Sequence, residues 1–301
     1  MCGRKIALFV SRNWILLAVA TTQVSLAAQG TPQAGRLLSR RYVEGERIQY
    51  LMKGQDGGST YEVRLTATTN KTSDGRFVDE FAWSDMVANG VSRALPPTSQ
   101  AFRLAVTLEG GAPFEVPDLA KAPGLIGPIT DLMTFYADLF LAMHQGVLRI
   151  ARDHFHFANP KSSSWADGTI VVLGEDHIDF DITLTGVDTA SDVATLLIKH
   201  VPPPAPNIRL PAEWMHARVA DTPNNWVQVR KTATGFDASV GKETFDVTLN
   251  VVISSGKILS AKMENPVTRI TRACSDAGVT QCGDAKATPV MRRIELSLLR
   301  E

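Results

Sequence analysis

Apolar residues recur at every second position through most of this 301-residue chain, and that period constrains its fold more than any other feature. Phe245, Val247, Leu249, Val251 and Ile253 form the clearest run. A strand points successive side chains to opposite faces, so alternation of this kind predicts half-buried strands. The pattern repeats at Ile48, Tyr50 and Met52, and at Tyr61, Val63, Leu65 and Ala67, with Gln55-Asp56-Gly57-Gly58 as the turn between them. It returns at Phe77, Phe81 and Trp83, at Leu104, Val106 and Leu108, and at Phe155 and Phe157. Further strands are expected at Thr169 to Leu173, at Ile178, Phe180, Ile182 and Leu184, and at Ala194 to Val201. Trp226 to Lys231, then Leu259, Ala261 and Met263, and finally Val290, Arg292, Ile294, Leu296 and Leu298 complete the set. Short connections between so many strands imply mostly antiparallel pairing.

One segment, about 126–145, breaks the rhythm. Ile129, Leu132, Met133, Tyr136, Leu139, Phe140 and Met143 recur at helical spacing. Pro128 is placed like a first-turn proline, Gly146 like a residue just past the end, and Asp131 is expected in the first turn. Phe135, Leu141 and Ala142 lie off the main stripe, so the helix is apolar over most of its circumference and is expected to be buried on more than one side. Asp131 and Asp138 argue against a bilayer span, where each would cost roughly 2.5–3.5 kcal/mol near the centre. The fold class expected is therefore mainly β (α+β), an antiparallel, strongly curved sheet or half-barrel with one long apolar helix packed on it.

The first 27 residues have the pattern of an export signal. Arg4, Lys5 and Arg12 precede an apolar run from Ile15 to Ala20, and Ser25-Leu26-Ala27 places small residues before a cut at Ala28. Cleavage leaves 28 cations against 31 acids, a net charge of −3. That balance provides no electrostatic footprint for nucleic acid. The expected product is periplasmic or extracellular and soluble. Cys274 and Cys282 remain, and an even cysteine count in an exported chain reads as a disulfide. Pro202-Pro203-Pro204-Ala205-Pro206 is stiff, extended chain. It makes 202–211 a connector between a β region over 28–201, which contains the helix, and C-terminal hairpins over 212–301, expected in the same globular domain.

Residues that carry chemistry are few. His154 and His156 share one face of a strand, and Asp179 and Asp181 share a face of another with His177, so a metal site is one reading. The simpler reading makes them solvent-facing members of half-buried strands. Val187-Asp188-Thr189-Ala190-Ser191 departs from the aspartic-protease motif at Ala190 and sits where a turn is needed. Ser254-x-x-Lys257 falls in a hairpin turn instead of at a helix start. There is no Gly-x-Ser-x-Gly, no phosphate-binding glycine loop and no His-Glu-x-x-His, so no catalytic residue and no cofactor is assigned. Trp165 and Trp226 stand in or beside turn-rich loops and are expected to plug the end of the β structure.

An export signal followed by long antiparallel strands around a very apolar helix resembles, in architecture, the periplasmic lipoprotein-carrier and lipid-carrier half-barrels. In those a concave sheet and its helices enclose an acyl-chain cavity. The resemblance implies a fold and assigns no residue a role. The leading expectation is a cell-envelope protein that binds or carries an apolar small molecule or lipid, with Leu132, Phe135, Tyr136, Leu139, Phe140 and Met143 as pocket residues. The alternatives are an envelope module that binds a protein partner without a pocket, and a hydrolase or metal enzyme built on His154, His156, Asp179 and Asp181.

Overall fold

In the computed structural model, the structure describes residues 36–111, 115, 117–144, 146, 148–159, 165–166, 170–173, 178–201, 208 and 210–299, with backbone only at 159, 165–166, 170–173 and 178. Residues 1–27, where an export signal is expected, His177, the Trp165 side chain and most of the Pro-rich connector lie outside that set.

The alternating segments are strands, and all their pairings are antiparallel. β1 (Arg47–Asp56), β2 (Ser59–Lys71) and β3 (Phe77–Ala88) form a meander, with the short β4 (Val91–Arg93) and β5 (Leu104–Val106) on its outer edge. Ile48, Tyr50, Met52, Val63, Leu65, Ala67, Phe81 and Trp83 are buried, as the alternation requires. A five-residue helix, α1 (Pro97–Ala101), precedes β5, and the apolar helix α2 spans Ile126–His144. Then come β6 (His154–Asn159), β7 (Trp165–Ala166), β8 (Ile170–Leu173), β9 (Ile178–Asp188) and β10 (Val193–Val201). The last five are β11 (Trp226–Lys231), β12 (Phe236–Glu243), β13 (Phe245–Val252), β14 (Ile258–Cys274) and β15 (Lys286–Leu298).

These strands make one sheet that does not close. β15 joins the N-terminal meander at β1 and pairs along β14 on its other side. β12 and β13 keep a single register against β14, with Glu243 opposite Val267 and Asp246 opposite Glu264, so together they act as one long strand interrupted at Thr244. Beyond that strand the sheet forks. One limb is β10-β9-β6, attached to β13; the other is β11-β8-β7, attached to β12. β10 and β13, on either side of the Pro-rich segment, are hydrogen-bonded neighbours.

The interruption has a chemical cause. Thr244 N–H donates to Pro266 O, but Pro266 has no N–H to return to Thr244 O. Asn265 Nδ2–H fills the gap, donating to Thr244 O at 2.7 Å. One residue earlier, Asn225 clamps Glu243 from the side of β11. Its amide accepts from Glu243 N–H and donates to Glu243 O, both at 2.8 Å.

The sheet is curved, as two contacts of α2 show. Tyr136 meets Phe81 of β3 edge-to-face with ring centroids 5.3 Å apart, while Asp138 bonds His200 of β10. β3 and β10 are six strand spacings apart, about 29 Å in a flat sheet, whereas a helix is only about 10–12 Å across. Both ends of the sheet therefore wrap the helix. Ile129, Leu132, Phe135 and Leu139 are fully buried, in one cluster with the inward residues of β1–β3, β9, β10 and β13–β15. A smaller second core of Ala212, Met215, Val227, Ala238, Val240, Cys274 and Val279 sits against β11 and β12, where the β11-β8-β7 limb attaches.

Two local expectations need correction. The helix begins at Ile126, so Asp131 lies beyond its first turn; it serves as a buried ion-pair partner instead. The region after the connector also holds a strand, β12, outside the set read from the sequence, in which Phe236, Ala238 and Val240 face the smaller core and alternate with Asp237, Ser239 and Gly241.

Candidate functional site

The six residues expected to line a pocket are packed in the principal core. Leu132, Phe135 and Leu139 are fully buried, and Tyr136, Phe140 and Met143 are 3%, 8% and 3% exposed. Of the six, Met143 also borders a hollow of about 260 Å³ at the C-terminal end of α2. The rest of its wall is Arg36, Leu38, Ser39, Arg40, Leu108, Glu109, Gly110 and His144. Leu38, Leu108 and Met143 supply an apolar floor. His144 stacks on Phe140 with its Nδ1 3.0 Å from Phe140 O, and burial holds its pKa below the usual imidazole range. Arg40 is already committed: it forks onto Asp79 with two bonds of 3.2 Å, reaches Glu46 at 3.0 Å and donates to Arg41 O at 2.7 Å. Its guanidinium also lies 4.5 Å from the centroid of the Tyr42 ring. Arg36 stands exposed at the rim. A second hollow of about 250 Å³ lies elsewhere, lined by Arg47, Thr66, Thr68, Glu80, Ala82, Trp83, Ser84 and Arg103.

His154, His156, Asp179 and Asp181 do come together, because the register of β6 and β9 sets His156 opposite Asp181. His156 Nδ1 is 2.8 Å from Asp181 Oδ1, and its Nε2 is 3.4 Å from Asp179 Oδ2. His154 Nε2 is 3.7 Å from Asp181 Oδ1. Both histidines are half exposed. The hydrogen bond to Asp181, with the charge of Asp179 beside it, raises the pKa of His156. The arrangement is an imidazole set between two carboxylates. Among the described residues no group of three or more His, Cys, Asp or Glu is disposed to hold a metal ion.

The other motifs have structural partners. Asp188 accepts from Ala190 N–H and Ser191 N–H and so caps its turn. Ser254 N–H donates to Asp192, and Lys257 pairs with Glu46. Trp226 opens β11 and is buried. Cys274 and Cys282 form a disulfide. Inside its loop Val279 is fully buried at φ +50° and accepts from Trp214 Nε1–H at 2.9 Å. Left-handed backbone is costly for a β-branched residue, so the loop is held by what surrounds it.

Sequence reasoning missed a charged seam between α2 and the sheet. Asp131 and Asp138 are two helical turns apart on the same side of α2 and are both buried. Asp131 pairs with Arg292 of β15 and accepts from Tyr61 Oη–H at 2.7 Å. Tyr61 reaches that far because its ring crosses Gly54 on β1; a Cβ there would lie 2.0 Å from the ring. Burial holds Asp131 above the usual carboxylate range, against the opposing pull of Arg292 and Tyr61. Asp138 Oδ1 and Oδ2 lie 3.0 and 3.1 Å from His200 Nε2, and the His200 ring is flanked by Phe180 and Phe245. Glu243, at the fork, faces the same seam, and burial raises its pKa too. Two aspartates on an otherwise apolar helix, with Arg292 among inward-facing apolar residues of a strand, were the available signals.

This chain matches no protein-family model and no curated protein.

Proposed function

We propose that the protein is exported to the cell envelope and there binds an apolar or amphipathic ligand through the hollow at the C-terminal end of α2. The observation that carries this reading is the wall of that hollow, where Leu38, Leu108 and Met143 meet Arg36, Glu109 and His144 in about 260 Å³. Small-molecule sites usually run to about 300–1,000 Å³, so the volume suits one short apolar segment of a ligand and not a whole lipid. The Cys274–Cys282 disulfide suits an oxidising compartment, and the sequence pattern of residues 1–27 suits export.

The test is native mass spectrometry and lipid extraction of the full chain purified from its own envelope fraction. A stoichiometric lipid, lost in Ser39→Trp with the circular dichroism and Tm retained, supports the reading. Ser39 lines the hollow, and an indole there fills it. Wild-type protein that carries no lipid overturns it.

The packing of α2 favours the second reading, an envelope module that binds a protein partner. Leu132, Phe135 and Leu139 have no exposed surface left for a ligand. Crosslinking in intact envelope to one stoichiometric partner, together with the absence of lipid, would select it.

A further inference from the structure

We propose that the hollow at the C-terminal end of α2 takes the head of a single-chain zwitterionic amphipath, with a primary ammonium group at Glu109 and His144 and an acidic oxygen at Arg36. This rests on the reading of that hollow as the ligand site and names the chemistry of what enters it.

The first observation is the spare hydrogen-bonding capacity of three side chains in one wall. Arg36 is exposed at the rim and has no hydrogen-bond or ion-pair partner among the described residues. Glu109 is half-buried, and its Oε2 accepts from Phe77 N–H of β3 at 3.0 Å. That bond holds the carboxylate in place and leaves Oε1 without a partner among the described residues. His144 has its Nδ1 3.0 Å from Phe140 O, and a carbonyl only accepts, so Nδ1 carries the ring proton. With burial keeping the imidazole neutral, Nε2 is left as an acceptor. The wall thus offers one free donor group and two free acceptors.

The second observation is the charge. Arg40 also lines the hollow, but Arg40 and Lys257 face Asp79 and Glu46, two cations against two anions. What remains is one cation, Arg36, and one anion, Glu109. A purely anionic head would meet like charge at Glu109, and a purely cationic one would meet it at Arg36. A primary ammonium brings three N–H donors to the two acceptors, and a phosphate or carboxylate oxygen suits the guanidinium. A quaternary ammonium has no N–H and gives neither acceptor a hydrogen bond. Leu38, Leu108 and Met143 form the apolar floor, and about 260 Å³ seats a segment of one chain.

The test is isothermal titration of the full chain with lauroyl lysophospholipids below their micelle concentrations, identical but for an ethanolamine, choline or glycerol head. The ethanolamine lipid is expected to bind at least about tenfold more tightly than the other two, as a charge-assisted hydrogen bond implies. Glu109→Gln, whose amide oxygen still accepts from Phe77 N–H, should erase the preference over choline. Arg36→Gln should weaken all three alike, because all carry the phosphate. 2-Aminodecanoic acid bears the same two groups on one carbon; binding tighter than that of the ethanolamine lipid identifies the ligand as an amphipathic amino acid, and weaker binding identifies it as a lipid. Equal affinity for the three heads, a preference for choline or glycerol, or an ethanolamine preference that survives Glu109→Gln overturns this inference. If that binding is nevertheless lost in Ser39→Trp, the hollow stands as a ligand site of other chemistry. No binding of any probe, or binding that Ser39→Trp leaves intact, overturns the site itself and this inference with it.

Discussion

His200 Nε2 lies almost equally far, 3.0 and 3.1 Å, from the two carboxylate oxygens of Asp138. Asp138 is fully buried on α2, and His200 stands near the end of β10, where the β10-β9-β6 limb meets the fork. This contact ties the helix to one side of the sheet, while Asp131 ties it to Arg292 and Tyr61 near the middle. An apolar helix can slide or rotate within an apolar groove at small cost, whereas two buried polar anchors fix its register.

Removing one partner should therefore cost far more than replacing both. Asp138→Ala is expected to lose about 3 kcal/mol in urea unfolding, as breaking a buried pair does. Asp138→Leu with His200→Phe should return most of that loss, because well-packed apolar groups replace a buried pair at little net cost. Equal losses in the single and double variants would show that the pair contributes nothing beyond shape.

Much of this arrangement was written in the alternation. Ile48, Tyr50 and Met52 face inward because a two-residue period leaves them no other face, and the same holds for Val247, Leu249 and Val251. The helix was equally plain, since no strand period accommodates Leu132, Tyr136, Leu139 and Met143. The fork was not legible. It depends on Pro266, a residue ordinarily excluded from a central strand, and on Asn265 and Asn225 standing in for backbone groups. The seam was half legible. Asp131 and Asp138 were conspicuous on an apolar helix, but their partners lie 161 and 62 residues away in sequence, and only sheet topology brings them together. The exposed histidine cluster was placed correctly on one face by period, yet period says nothing of how β6 registers against β9.

The His156 imidazole should titrate above the ordinary histidine value of about 6.5, because it bonds Asp181 and lies beside Asp179. A histidine raised in this way contributes stability that is complete below its unfolded pKa and is lost as pH rises through the folded value. The group is half exposed, so the effect on unfolding is small, and NMR is the better probe. Asp181→Asn should bring the His156 midpoint down toward the ordinary value. A midpoint that Asp181→Asn leaves unmoved would place the cause elsewhere.

The disulfide should matter locally. Closing the short Cys274–Cys282 loop contributes roughly 2.5 kcal/mol in the chain-entropy model. The loop seats Val279 in the small second core and anchors Trp214 through its indole N–H. The double change to serine should lower stability by about that amount and alter Trp214 fluorescence. It should leave the α2 core intact, so amide exchange in β1–β3 is expected to slow or quicken only with global stability. Selective exposure of β1–β3 would show that the two cores are coupled more closely than their separate residue sets suggest.

Gly54 and Tyr61 are directly opposed on β1 and β2, and the absence of a side chain at Gly54 is what lets the Tyr61 ring lie across the strand. That position delivers the phenol to Asp131 at 2.7 Å. A Cβ at residue 54 would meet three atoms of the ring, at 2.0, 2.4 and 2.7 Å, so Gly54→Ala must expel it. The variant should then lose the hydrogen bond as well as the ring contact. Tyr61→Phe keeps the ring and loses only the bond, at about 1–3 kcal/mol. Gly54→Ala should cost at least as much in urea unfolding. Because both substitutions remove the same bond, their combination should cost less than the sum of the two. Strict additivity would mean that Gly54 acts through backbone freedom alone and has no part in placing the phenol on the helix.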